Sequence, residues 1–436
     1  MGNDFVPHDP EVEFYIEIEG DVSGGAGDLI RHESLVDGDG AFVDGAGAMY
    51  RVLYQSTSGT KAGLGEPIAV SGLVAFPEGP VPEGGWPVVS WAHGTVGSAD
   101  ICAPSMDAYV PAGLGDEGLG LLRKINKAPH KLLGALLRAG WAVAMTDYEG
   151  LGTRGNHPYL LGESEGRGVL DIVPATRRLA AKIGHPPTAV SQRYAIVGHS
   201  QGGQAALFAA HLASRKEDPY PTQGELVGVA ALAPASNLKG GTVADPEGLQ
   251  LAYGLPEPVG DLGGFYVLFS NGVFGGDPDI PVSEIFQPEA EAKYRLDFDT
   301  KSRAELSLDE FWMDRPPFDV RDPEGSLFRS QFASPGSVRA RAWAAYWDQV
   351  EGFTPDKEIG VPIRISQARG DERVKAYKTE KLITQLRRIN GEQSVADVFY
   401  DDLAGVPDPT SLGDHFALLV DDGEIAAIIE WLGGLS

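Results

Sequence analysis

Three kinds of residue in this chain could do chemistry together: a serine between glycines, a histidine and carboxylate far downstream, and an early loop with backbone N–H groups to offer. Gly198-His199-Ser200-Gln201-Gly202 follows a β-type run at 193–197 and precedes a helix-type run at 203–210. Strand, sharp turn and helix with serine at the apex form a nucleophile elbow. The serine sits in a strained turn with its oxygen exposed. Side chains at Gly198 and Gly202 would collide as strand and helix close on each other. With 57 glycines in the chain, a bare G-x-S-x-G carries little weight, and the flanking elements supply the specificity.

A serine hydroxyl is a weak nucleophile at neutral pH, so it needs a base and a third group to orient that base. Of the nine histidines, only His211 and His415 follow Ser200. His211 falls within the elbow helix and points along the wrong element. His415 comes by a loop after the last predicted strand, where the base of such a triad belongs. For the acid, Asp371 stands directly past a core strand; Glu372, Asp401, Asp402 and Asp414 are its rivals. Attack on a carbonyl creates an oxyanion that preorganised N–H groups stabilise. One donor is expected from Gln201 at the start of the elbow helix. The second is expected from Trp91-Ala92-His93-Gly94-Thr95-Val96-Gly97, with Thr95 preferred and Gly94 the alternative. His93 reads as an anchor of that loop rather than a base.

These groups need a scaffold that brings distant segments to one edge. Runs at 48–54, 68–76, 86–91, 141–145, 193–197 and 226–232 are near-continuously apolar, as strands covered on both faces are. Helical stretches at 132–138 and 169–182 suit the crossovers between them. From about Ser236 to Ser337 the pattern breaks into a loop-rich stretch with aromatic clusters at 264–269 and 310–313, then resumes at 361–366 and 395–400. This predicts an α/β-hydrolase fold: a mostly parallel central sheet flanked by helices, with core segments 1–235 and 338–436 and an inserted cap or lid at 236–337. The aromatics argue against a disordered linker, and residues 423–432 read as a closing amphipathic helix.

Bulk properties exclude several classes. With 35 basic against 62 acidic residues, a net charge of -27 disfavours nucleic acid and anionic membrane surfaces as partners. A solvated acidic surface is the simpler reading and adaptation to salt the sharper one. No apolar run reaches the length of about 18 residues that a membrane span needs. Met1-Gly2-Asn3-Asp4-Phe5-Val6 has neither the basic start nor the apolar stretch of a signal peptide, so the expectation is a protein kept inside the cell or one whose signal is removed. The lone Cys102 allows no internal disulfide and favours a reducing compartment. No cofactor or metal is expected. Gly113-Leu114-Gly115-Asp116-Glu117-Gly118 matches a dinucleotide loop but follows no clear strand and carries two carboxylates. Asp37-Gly38-Asp39-Gly40 lacks the remaining ligands of a calcium loop, and Asp297 with Asp299 are too few for a metal.

Several stretches together resemble the secretory lipase family, the lipase A-like group of α/β-hydrolases. They are Trp91-Ala92-His93-Gly94-Thr95, Asp147-Tyr148-Glu149-Gly150-Leu151-Gly152 with His157-Pro158-Tyr159-Leu160, the elbow, and the segments around Asp371 and His415. The resemblance implies a lid-bearing cap after the sixth strand and ester hydrolysis through Ser200, Asp371 and His415. The expected substrate is a small-molecule ester with a short to medium acyl chain. Long-chain lipase activity, acyl transfer to an alcohol, peptidase activity and a non-catalytic scaffold are the rival readings. Tyr148 and Glu149, past a core strand, are read as either substrate-binding residues on the alcohol side or a structural turn.

Overall fold

The computed structural model describes residues 12–17, 20–109, 119–216, 220–238, 263–277, 279–316, 321–329, 338–350, 357–401, 403 and 414–435. Among them the chain forms β1 (Leu29–Leu35), β2 (Ala46–Thr57), β3 (Pro67–Pro77), β4 (Trp86–Ala92), β5 (Ala142–Thr146), β6 (Val190–His199), β7 (Glu225–Leu232), β8 (Ile363–Ala368) and β9 (Val395–Tyr400). They make one sheet in the order β1-β2-β3-β5-β4-β6-β7-β8-β9. The pairings from β5 through β4, β6, β7 and β8 to β9 are parallel, while β1, β2 and β3 join antiparallel at one edge. The mostly parallel sheet expected from the sequence is therefore present, with an antiparallel flank.

The apolar runs mark strands covered on both faces. Along β4, Val89 and Trp91 join one core cluster while Val88 and Ala92 join the other. The first cluster lies under the helices His130–Arg138 and Asp422–Gly433; the second lies under Gly162–Lys182, Gln201–Ser214 and Ala376–Asn390. A period of two along each strand sends alternate side chains to opposite layers, so both sets must be apolar. β1 was not legible as a strand. Its sequence, LIRHESL, carries three charged or titratable side chains and stays only half-buried at the sheet edge, where polar residues are tolerated and discourage further pairing.

The stretch read from sequence as loop-rich is largely helical in its described part. Of helices Gly263–Gly276, Val282–Ile285, Pro288–Asp297, Arg303–Leu308 and Glu310–Asp314, all but the first span ten residues or fewer, and Pro281, Pro288 and Pro316 punctuate them. Proline starts a helix readily but cannot continue one. That shortness hid the helical period. A third cluster holds these helices together through Phe274, Phe286, Tyr294, Trp312 and Phe328. Trp343, Tyr346 and Trp347 of helix Val338–Val350, a helix given to the core from sequence, belong to the same cluster. The group is tied to the core at the loops after β4 and β5. Gly97 bridges to Ser302, the Ser98 hydroxyl donates to the Phe298 carbonyl at 2.7 Å, and the Tyr346 hydroxyl donates to the Tyr159 carbonyl at 3.2 Å.

Candidate active site

Ser200 sits between β6 and helix Gln201–Ser214 with φ 58° and ψ -119°. A non-glycine residue at that positive φ is strained and survives only where its surroundings fix it. Here the Ser200 N–H donates to the Leu232 carbonyl at 2.9 Å, and its carbonyl accepts from Ala235 N–H at 2.9 Å, so the turn is pinned to the end of β7. The flanking glycines are required by contact. A Cβ on Gly198 would stand 2.0 Å from the Gly202 carbonyl oxygen, and one on Gly202 would stand 1.9 Å from that of Ala92.

Asp371 lies just past β8 and His415 in the short helix Asp414–Ala417, and their side chains meet. His415 Nδ1 donates to Asp371 Oδ2 at 2.7 Å, and both side chains are buried. Asp371 is held from every side. Its Oδ1 accepts from the backbone N–H groups of Arg373 and Val374 at 2.8 and 2.9 Å, and its Oδ2 accepts from Gln367 Nε2 at 3.1 Å. Burial pulls its pKa upward, but the charge and hydrogen bond of His415 and the two backbone donors outweigh that, leaving it below the usual carboxylate value. Of its rivals, Glu372 and Asp401 are exposed and pair with Arg373 and Arg369, while Asp414 lies against Gly370. Asp402 is outside the described residues, as is the glycine loop at 113–118.

Ser200 and His415 line one cavity of about 680 Å³, part of it open to solvent. Gly94 and Thr95 line it too, and a Cβ on Gly94 would lie 3.5 Å from that of Ser200. The Thr95 hydroxyl bonds the Tyr159 hydroxyl at 2.8 Å. Leu238, Phe265, Tyr266, Phe269 and Phe416 make the remaining wall mostly apolar. Gln201 begins the elbow helix, and its side chain is turned inward. Its Nε2 donates to Glu165 Oε1 at 2.7 Å and to His157 Nε2 at 2.9 Å. That clamp holds the Gln201 side-chain amide in the protein interior, and the first N–H groups of the helix have no partner within the helix itself. Among the described residues no group of acids, histidines and cysteine could hold a metal.

Residues 125–257 match the secretory lipase family. The overall fold is that of the α/β-hydrolases. The rice cell wall degrading esterase LipA from Xanthomonas oryzae superposes with a TM-score of 0.63 at 19% identity, covering 95% of this chain and 100% of that one. Candida antarctica lipase A in its closed state superposes with a TM-score of 0.64 at 17% identity, covering 90% of this chain and 80% of that one. No curated protein sequence matches closely enough to count as a relative.

Within this secretory lipase-like frame, two expectations need correction. Tyr148 and Glu149 do not reach the cavity. Tyr148 is fully buried with φ 75°, and its hydroxyl donates to the His93 carbonyl at 2.9 Å. Glu149 accepts from the Ser58 hydroxyl at 2.5 Å and the Gly59 N–H at 3.1 Å. The turn after β5 aims both side chains into the protein, where they brace the loop after β4 and the start of helix Gly162–Lys182. The alternative of a structural turn is the one the contacts favour.

His93 is the anchor expected of it. Its Nδ1 bonds the Gly94 carbonyl at 2.7 Å, and burial lowers its pKa to about 4. His211 bonds the Glu358 carbonyl at 2.9 Å, on the far side of the elbow helix. Sequence reasoning missed His199, whose Nε2 bonds the His415 carbonyl at 2.8 Å with the two rings 4.6 Å apart. Burial, the neighbouring His415 and other charges lower its pKa to about 3, so it is neutral and donates one N–H. Also missed were Gln367, Glu165 and His157. Gln367 braces Asp371 from four residues away, whereas His199, Glu165 and His157 act across 216, 36 and 44 residues, separations that no local pattern encodes.

Proposed function

We propose that this chain is a serine carboxylic-ester hydrolase working through an acyl-enzyme. The match to the secretory lipase family supports the esterase and lipase class. The observation that carries the mechanism is the 2.7 Å bond between Asp371 and His415, in an imidazole that shares a cavity wall with Ser200. With Nδ1–H committed to Asp371, the ring takes the Ser200 proton at Nε2 as the serine oxygen attacks the ester carbonyl. Asp371 is held ionised and so favours the imidazolium that forms. The oxyanion meets the N–H of Gln201 and a second N–H from Thr95 or Gly94, fixed before substrate arrives. His415 then protonates the leaving alcohol. Water attacks the acyl-enzyme with the same base, and the carboxylic acid leaves.

The apolar wall from Phe265, Tyr266 and Phe269 of the cap and from Phe416 supports short to medium acyl esters as substrates. The cap read at 236–337 is, in this proposal, continued by helix Val338–Val350, because that helix shares its aromatic cluster. The test is turnover of p-nitrophenyl butyrate. Ser200→Ala should lower kcat by about three orders of magnitude or more with the circular dichroism unchanged. Near-normal turnover by a folded Ser200→Ala protein would refute the proposal.

A further inference from the structure

The chain is strongly acidic, yet the cavity beside Ser200 has the opposite polarity. Arg303 and Arg373 both line it, and no carboxylate does among the described residues. Arg303 begins helix Arg303–Leu308, with its N–H donated to the Val96 carbonyl at 2.9 Å, so it is fixed to the loop after β4. It is only 4% exposed. Its Nε has no hydrogen-bond partner, and no described carboxylate forms an ion pair with it. The contact that remains is with the Phe265 ring, whose centroid is 6.0 Å from the guanidinium carbon. Arg373, which pairs with Glu372, stands over the Phe416 ring at 4.9 Å.

Buried arginines are normally paired, because an unpaired buried charge is among the costliest features a fold can carry. Burial and the repulsion of Arg373 lower the Arg303 pKa to about 9, which leaves the guanidinium charged at neutral pH. A cation–π contact offsets part of its lost hydration but offers no acceptor for its five N–H donors. What satisfies such a group is a carboxylate, whose two oxygens match the guanidinium fork. The surrounding wall is apolar, so the rest of the ligand must be hydrocarbon.

We propose that the cavity takes esters whose acyl chain ends in a carboxylate, held by Arg303 while the hydrocarbon between lies against Phe265, Tyr266 and Phe269. The preferred substrates are then half-esters of dicarboxylic acids, hydrolysed by water to the dicarboxylate and an alcohol. This rests on the ester-hydrolase reading above and names its substrate class. It also gives the cap a second task, since Arg303 and Phe265 both belong to it.

The test compares monomethyl adipate with methyl hexanoate, which share a six-carbon acyl chain and differ in the terminal charge. The wild-type protein should favour the adipate half-ester in kcat/KM. The ratio should fall about tenfold or more in Arg303→Met and recover in part in Arg303→Lys, with thermal melting confirming that each variant folds. Adipate itself, measured by calorimetry on the Ser200→Ala protein, should bind and should weaken about tenfold when Arg303→Met is added. That arm needs no turnover, so it separates this inference from the hydrolase reading. Failure of Ser200 to react with any ester, with adipate still bound through Arg303, would overturn the catalytic reading alone. A wild-type ratio at or below one, a ratio unchanged in Arg303→Met, or no adipate binding would overturn the inference. So would a preference seen only when the carboxylate is on the alcohol side, as in hexanoyl glycolate against ethyl hexanoate.

Discussion

Replacing Glu165 by glutamine should change how the protein's stability responds to pH. Glu165 is fully buried under the elbow helix, where its Oε1 accepts from Leu160 N–H at 2.8 Å and from Gln201 Nε2 at 2.7 Å. Its Oε2 is buried without a partner, and His157, 3.8 Å away, is kept neutral by burial with a pKa near 4. Burial raises the Glu165 pKa from 4.5 to about 8, against the lowering effect of its hydrogen bonds. The folded state therefore keeps the proton across a range where the unfolded chain has lost it. Its contribution is fully present below about pH 4.5 and is lost as pH rises through 8. The shift corresponds to something on the order of 4–5 kcal/mol between those limits. Glutamine keeps the acceptor oxygen and removes the titration. Other buried carboxylates with raised pKa values, Asp147 near 6 and Asp171 near 7, titrate alike in both proteins and cancel in the difference. For a chain of 436 residues that energy is worth roughly 4–5 °C in Tm. Differential scanning calorimetry should therefore show Glu165→Gln close to wild type at pH 5, or slightly below it, and about that much above it at pH 9. Parallel Tm curves across this range would mean that Glu165 is not held protonated under the elbow.

Other substitutions test other joints of the site. Asp371→Asn should cut kcat by about three to four orders of magnitude, whereas Asp401→Asn should leave it unchanged, as p-nitrophenyl ester assays on the two proteins would show. Gly202→Ala, whose new Cβ would stand 1.9 Å from a backbone oxygen, should cost about 3 kcal/mol or more and appear as a large loss of Tm or of soluble protein. His199→Phe removes the bond to the His415 carbonyl, so kcat should fall by about tenfold or more with the circular dichroism preserved.

The parts of the site readable in the sequence are those that local rules dictate. A strand, two glycines and a helix must surround a serine held at positive φ, so the elbow is visible within a dozen residues. Asp371 and His415 follow from the order of strands, because a parallel sheet puts successive loops at one edge. The stretch at 263–314 resisted such reading because prolines interrupt it and its cohesion comes from aromatic side chains far apart in the chain. Tyr148 and Glu149 were ambiguous for a related reason. A motif past a strand end fixes where a backbone turns, and the φ of 75° at Tyr148 sends the side chains inward instead of toward substrate. His199, Gln367 and Arg303 were beyond reach, since their roles depend on what faces them after folding.

The catalytic claim is tested most directly by treating the protein with a fluorophosphonate and mapping the modified peptide by mass spectrometry. One phosphonyl group on Ser200, formed quickly by the wild-type protein and far more slowly by His415→Ala, is the expected result. Modification spread over other residues, or equal labelling of Ser200 in both proteins, would contradict the account.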